Sequence, residues 1–323
     1  MTSPRGQIVD PVEAGFYHCI SRCVRRAFLC GADAVSGRSF EHRKAWVEDR
    51  LLELATIFAV GVYAYAVMSN HVHVVIYVDP GAALAWSPDE VAERWVRLFP
   101  VRGLTGEIDE EATRNRAGAM LGNPERVAEC RARLASLSWF MRCLNEPIAR
   151  RANHEDVCTG RFWEGRFKCQ ALLDDAAVVA CMSYVDLNPI RAGIAPDLAT
   201  SDYTAIKRRV EGGDLHTAAL PPLATSLVPP QMRLSERDYI LLVDWTGRIT
   251  RDDKRGAISH DAPPALARLD VDAHQWRHQV LGIESRYWRA VGAVRALVEK
   301  AQRMGQRWLK GGGTSITTRL RPA

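Results

Sequence analysis

Two apolar runs, VGVYAYAVM (residues 60–68) and HVHVVIYV (residues 71–78), are separated by only Ser69 and Asn70. Runs this rich in β-branched and aromatic residues, joined by a polar pair, specify an antiparallel hairpin with a two-residue loop. Such a hairpin does not stand alone; further strands or helices must cover its apolar surface. The preceding segments can supply them. Residues 15–24, GFYHCISRCV, read as a strand with Arg22, Arg25 and Arg26 at its end. Residues 40–58, FEHRKAWVEDRLLELATIF, place Trp46, Leu51, Leu52, Leu54, Ile57 and Phe58 at helical spacing.

Downstream, residues 79–138 are helical but irregular, with PDEVAERWVRLF and PERVAECRARLASL joined by a polar stretch. They read as a helical insertion. SWFMRCLNEPIARRANH (138–154) is a firmer helix, in which Pro147 is expected to kink or interrupt the backbone. RFWEGRFKCQALL (161–173) reads as a strand. Asp174-Asp175 then opens a helix over AAVVACMSYVDLN, which Pro189 is expected to end, with Gly193 following. Strand, helix, strand, strand, helix, strand is the split βαββαβ order. It predicts an α+β fold: a ferredoxin-like, four-stranded antiparallel sheet with helices on one face. A first domain is expected over residues 1–211, with the insertion at about 79–138. Residues 212–233 look like a Pro-rich linker, and residues 234–323 like a mostly helical C-terminal region.

Bulk composition narrows the function classes. The chain has 323 residues, 47% of them hydrophobic and 25% charged, an ordinary globular balance. No apolar run approaches the roughly 18–20 residues that span a bilayer, and MTSPRGQIVDP lacks an apolar signal core. The expectation is a cytoplasmic protein with no membrane partner. The eight cysteines (Cys19, Cys23, Cys30, Cys130, Cys143, Cys158, Cys169 and Cys181) form no C-x-x-C pair, which points to reduced, mostly buried thiols. A net charge of +5 leans towards a polyanionic partner.

The chemistry-bearing residues start with His71-Val72-His73. On a strand, alternate side chains share a face, so the two imidazoles project together. A pair of imidazoles suits a divalent ion that finds a further ligand elsewhere; it equally suits two histidines on a solvent-facing strand. Tyr184 and Asn188 lie four apart on a predicted helix and share its face. The tyrosine hydroxyl can attack phosphorus, and the asparagine oxygen is an acceptable ligand for Mg²⁺ or Mn²⁺. A core tyrosine and a C-terminal cap before Pro189 would leave the same pattern. His18, on the first strand, approaches the metal only if that strand neighbours the third.

AVMSNHVHVVIYV, RFWEGRFKCQALL and SYVDLNPIRAGI together resemble the HUH single-tyrosine transposases, and within them the REP-associated branch. The resemblance covers roughly residues 14–200. It implies a catalytic domain within residues 1–211, with a metal site at His71, His73 and Asn188, a Tyr184 nucleophile and a divalent cofactor, Mg²⁺ or Mn²⁺. It further implies transposase-type nicking and strand transfer on single-stranded or hairpin DNA, through a 5′-phosphotyrosine and a free 3′-OH. Arg22, Arg25, Arg26, Arg161, Trp163, Arg166 and Lys168 are the candidate DNA contacts. A basic C-terminal stretch (Arg295, Lys300, Arg303, Arg307, Lys310, Arg319 and Arg321) could add to them. The longer insertion and the C-terminal region depart from a minimal member. A monomer and a homodimer exchanging helices are both compatible with these residues. So are two other functions: a domesticated, non-catalytic DNA-binding regulator and a water-using metal nuclease.

Overall fold

The computed structural model describes residues 8–24, 30–31, 37–212, 219–228, 230, 232–250, 262–283, 289–306 and 311–313, the last three as backbone only. At its centre stand β1 (Gly15–Arg22), β2 (Val60–Val67), β3 (His71–Val78) and β4 (Lys168–Leu172). They lie in the order β2-β3-β1-β4, each antiparallel to its neighbours. The Met68 N–H donates to His71 O at 2.9 Å, closing the two-residue turn at Ser69-Asn70.

α1 (Arg43–Ala55) joins β1 to β2, and five helices lie between β3 and β4: α2 (Pro80–Leu84), α3 (Pro88–Leu98), α4 (Glu110–Leu121), α5 (Pro124–Leu134) and α6 (Leu137–Glu155). α1 and α6 share one face of the sheet. The Tyr65 hydroxyl of β2 donates to Glu48 on α1 at 2.6 Å, and Asn145 on α6 donates to Ser21 Oγ of β1 at 2.8 Å. This is the βαββαβ arrangement, with its two crossover helices together as expected.

The insertion owes its order to local signals. α2, α3 and α5 begin at Asp79-Pro80, Ser87-Pro88 and Asn123-Pro124. In each, the side chain before proline accepts a backbone N–H of the first turn, at 2.9–3.1 Å. Proline there loses no helical hydrogen bond, because the first N–H groups have no intrahelical partner. α3 buries Val91, Ala92, Trp95, Val96 and Leu98.

Pro147 does not interrupt α6, which runs through it for 19 residues. A proline leaves the carbonyl four residues earlier without its helical donor. Here that carbonyl, Cys143 O, accepts Arg50 Nε from α1 at 3.3 Å. β4 is shorter than the strand expected over 161–173. Trp163 makes only an isolated bridge with Cys23, Glu164 N–H bonds Arg22 O at 2.8 Å, and the chain bends through residues 164–166 before pairing begins.

α7 (Asp175–Asp186) is capped by Asp174, whose carboxylate accepts the Ala177 N–H at 2.8 Å. The helix stops at Leu187 and restarts as α8 (Asn188–Arg191), so Tyr184 and Asn188 lie on consecutive helices rather than on one. Pro189 has no N–H to continue α7. The restart is secured by Arg191 N–H to Leu187 O and Ala192 N–H to Asn188 O, both at 2.9 Å.

α7 lies over the sheet face opposite α1 and α6. Beyond α9 (Ala205–Gly212), the segment expected as a linker contributes β5 (Ala224–Thr225), which pairs with the outer edge of β2. The C-terminal region forms α10 (Glu236–Ile249), α11 (Ala265–Arg268), α12 (Ala273–Gly282), β6 (Ala290–Gly292), α13 (Val294–Arg303) and β7 (Gly311–Gly313). β6 adds to β4 in parallel and β7 to β6, so the described residues form one seven-stranded sheet ordered β5-β2-β3-β1-β4-β6-β7. The Tyr239 hydroxyl of α10 donates to the buried Asp186 at the end of α7 (2.5 Å), and Trp276 of α12 donates to Thr246 of α10 (2.9 Å). Among the described residues no helix is long and apolar enough to cross a membrane.

Candidate active site

Strand register decides which side chains meet. Residues directly opposite on antiparallel strands point to the same face. His71 is opposite Arg22, His73 opposite Ile20, and Val75 opposite His18. On the other side of β1, His18 is opposite Gln170 and Ile20 opposite Lys168. One face therefore carries His71, His73, His18, Gln170, Arg22 and Lys168 in a compact group, and it is the face α7 covers.

Tyr184 of α7 descends on the histidines. Its ring lies edge-on to His73, with centroids 5.7 Å apart at 78°, and to His18 at 6.3 Å and 72°. His71 meets His73 at 4.7 Å and 76°. The chain thus brings His71, His73 and Tyr184 together. Asn188, at the start of α8, is half-buried, and its Nδ2 has no hydrogen-bond partner among the described residues. Among those residues no group of three or more His, Cys, Asp or Glu side chains is placed to hold a metal ion.

The histidines are tied by hydrogen bonds. His18 Nε2 lies 2.9 Å from His73 Nδ1, with the two rings nearly parallel at 13°. His18 Nδ1 lies 2.9 Å from Gln170 Oε1. His71 Nδ1 lies 2.5 Å from Asn70 Oδ1, in the hairpin turn. His18 and His73 are 1% and 3% exposed. Burial pushes His18 down to about 4, partly offset by its bond to Gln170. Burial likewise holds His73 well below the usual histidine range, helped by the neighbouring His18, His71, Arg22 and Arg191. Both rings are neutral near pH 7, the form in which imidazole nitrogen binds a metal.

Cations ring the group. Arg22 and Lys168 are exposed at the rim, and the Arg191 guanidinium stands 5.0 Å from the centre of the Tyr184 ring. Arg161 and Arg166 are exposed on the segment beside the end of β1. Trp163 is half-buried; its indole N–H donates to Asn145 O at 2.9 Å and its ring packs edge-on against Phe162 at 5.0 Å. Its place is in fixing this segment to α6. Arg25 and Arg26 lie outside the described residues, as do Arg307, Lys310, Arg319 and Arg321. On α13, Arg295 pairs with Glu299 at 2.8 Å, Arg303 with Glu13 at 2.6 Å, and Lys300 is buried.

Sequence reasoning passed over Gln170 and Arg191. Gln170 looked like one polar residue in a strand; only the β1–β4 register sets it against His18. Arg191 did leave a signal, seven residues after Tyr184 and so on the same helical face. The intervening Pro189 obscured it.

No family model matches this chain, and no curated protein matches it. A solved structure of a REP-associated tyrosine transposase bound to a REP hairpin is similar to it, with 11% sequence identity over 72% of this chain and 97% of that one, and a TM-score of 0.37. At that level of likeness nothing about this chain's chemistry is carried over from it.

Proposed function

We propose that this chain is a divalent-metal-dependent DNA-nicking and strand-transfer enzyme of the single-tyrosine transposase type, with Tyr184 as nucleophile. The observation that carries this reading is the meeting of Tyr184 with the His71–His73 pair, from an element far away in sequence. His18, His73 and the Arg191 guanidinium surround the Tyr184 ring, an unusually polar setting for a core tyrosine.

His71, His73 and the Asn188 carboxamide oxygen would make a mixed nitrogen–oxygen donor set for a divalent ion; the two imidazoles favour Mn²⁺ over Mg²⁺, which prefers oxygen ligands. Neutral His73 keeps a nitrogen lone pair at physiological pH. Asn188 leaves a buried N–H with no acceptor among the described residues, which suits a side chain whose partner arrives with the substrate. When bound, the cation would supply Lewis-acid stabilisation of charge on the scissile phosphate.

The remaining work falls to side chains of this protein. The Tyr184 oxygen attacks phosphorus and gives up its proton, the new P–O bond forms as the bond to the 3′ oxygen breaks, and that oxygen takes up a proton, leaving a 5′-phosphotyrosine and a 3′-OH. The ester conserves the bond energy, so a 3′-OH can reverse the step and join a new strand. Arg22 and Arg191 flank the site and offset phosphate charge. Arg161, Arg166 and Lys168 would extend a cationic path for single-stranded or hairpin DNA.

The test is incubation with a labelled single-stranded hairpin oligonucleotide and Mn²⁺, resolved on a denaturing gel. The expected result is a protein–DNA adduct, absent with EDTA and absent in Tyr184→Phe. Cleavage that survives in Tyr184→Phe would establish a water-using nuclease instead. Binding without cleavage would establish a regulator.

A further inference from the structure

Behind His73 runs a buried hydrogen-bond chain that reaches the C-terminal region. Gln170 Nε2 donates to Ile283 O, at the end of α12, at 3.4 Å. Gln170 Oε1 faces His18 Nδ1, and His18 Nε2 faces His73 Nδ1, each at 2.9 Å. A backbone carbonyl only accepts, so Ile283 fixes the direction of every bond in the chain. The Gln170 amide must turn its N–H to Ile283 and its oxygen to His18. As a neutral imidazole, its ordinary form at pH 7, His18 then donates from Nδ1 and accepts at Nε2. His73 must donate from Nδ1, which leaves its lone pair on Nε2. The opposite assignment would require the Gln170 oxygen to face the Ile283 oxygen at the same separation, two acceptors with no proton between them. All three side chains are buried, at 1% (His18), 3% (His73) and 8% (Gln170) exposure, so little water is at hand to relieve such a clash.

We propose that His18 and Gln170 are positioning residues that lock His73 in the Nδ1–H tautomer and aim its Nε2 lone pair at the divalent cation, with Ile283 as their anchor. The inference rests on the reading of His73 as a metal ligand. It gives the C-terminal region a part in the site that its sequence does not announce: the carbonyl at residue 283 sets the protonation pattern of a histidine on β3. Partners behind ligating histidines commonly act this way, fixing ring orientation and tautomer.

The experiment has two readouts, neither of which is nicking activity. Ring ¹⁵N chemical shifts of His73 in the metal-free, DNA-free wild-type protein report its tautomer, and Mn²⁺ affinity is measured by calorimetry. The expected spectrum shows His73 protonated on Nδ1. His18→Phe and Gln170→Leu, each confirmed folded by circular dichroism, should bind Mn²⁺ about 10–100-fold more weakly. His18→Gln, whose side-chain oxygen can still accept from His73, should bind close to the wild-type strength. His73 protonated on Nε2, or unchanged Mn²⁺ affinity in folded His18→Phe and Gln170→Leu, would overturn the proposal. A wild-type protein that shows the Nδ1–H form but binds no Mn²⁺ would overturn the metal reading beneath it. Intact tautomer and Mn²⁺ binding without any DNA nicking would support the relay and remove only the tyrosine chemistry.

Discussion

Arg209 offers the sharpest test of how the C-terminal region is joined to the sheet. It is 1% exposed, and its partner Glu236, the first residue of α10, is 3% exposed. Its Nη1 donates to Glu236 Oε1 at 2.5 Å, and its Nη2 donates to Tyr63 O in β2 and Pro221 O in the proline-rich segment, both at 2.9 Å. One guanidinium thus clamps β2, α9, α10 and the segment between them. Arg209→Met keeps much of the apolar volume and removes every donor. Breaking a buried ion pair from one side costs about 3–5 kcal/mol, and each orphaned carbonyl adds roughly 1–3 kcal/mol. The losses overlap as the site relaxes, so a total near 5 kcal/mol is expected, or a fall in Tm of about 7 °C for a chain of this size. Arg209→Met/Glu236→Leu removes both charges and should recover roughly half of that loss or more. Urea unfolding followed by far-ultraviolet circular dichroism and by tryptophan fluorescence, to which Trp245 and Trp276 contribute from α10 and α12, should give coincident transitions in every variant. A loss under about 1 kcal/mol in Arg209→Met, or separate transitions for the two probes in wild type, would refute the reasoning.

Three further outcomes follow from the geometry. His18 sits near 4 in the folded protein against an ordinary 6.5, so the unfolded chain gains a proton first as pH falls. Stability is complete above about pH 6.5 and is lost towards pH 4, by about 3 kcal/mol from this group; urea midpoints at pH 7 and pH 4.5 should differ less in His18→Gln than in wild type. Arg50→Leu should cost about 1 kcal/mol by leaving Cys143 O without its donor, and adding Pro147→Ala, which returns a helical N–H, should recover that loss in thermal melts. Neutralising Arg22, Arg161, Arg166 and Lys168 together to Gln should flatten the slope of log affinity for single-stranded DNA against log salt by about 3, read by fluorescence anisotropy; an unchanged slope would remove these four from the binding path.

The parts of the fold written in local sequence were legible. The Ser69-Asn70 pair between two alternating runs marks the hairpin, Asp174 marks the start of α7, and the strand–helix order predicts the antiparallel core. What depends on tertiary contact was not. Pro147 reads as a helix breaker until Arg50 is seen beside Cys143 O. Residues 161–167 have a strand's composition, yet their hydrogen bonds go to the end of β1 through a bridge and a bend. β5, β6 and β7 are two or three residues long, too short for periodicity to register, and two of them extend the sheet in parallel. The candidate site divides in the same way. His71 and His73 share a face by strand alternation alone, so the sequence suffices. His18 and Gln170 join them only through the register of three strands, and Arg191 reaches Tyr184 across a proline that looks like a stop.

The central claim is that Tyr184 forms the bond to DNA. The direct measurement is mass spectrometry of the protein after reaction with a hairpin oligonucleotide and Mn²⁺, followed by nuclease trimming and tryptic digestion. Cleavage after Lys168 and Arg191 isolates residues 169–191, which contain Tyr184 and no other tyrosine. The account predicts a 5′-phosphonucleotide mass on that peptide, with fragment ions placing it on Tyr184. A nucleotide found on Tyr17, Tyr63, Tyr65 or any other residue, or cleaved DNA with no modified peptide, would contradict it.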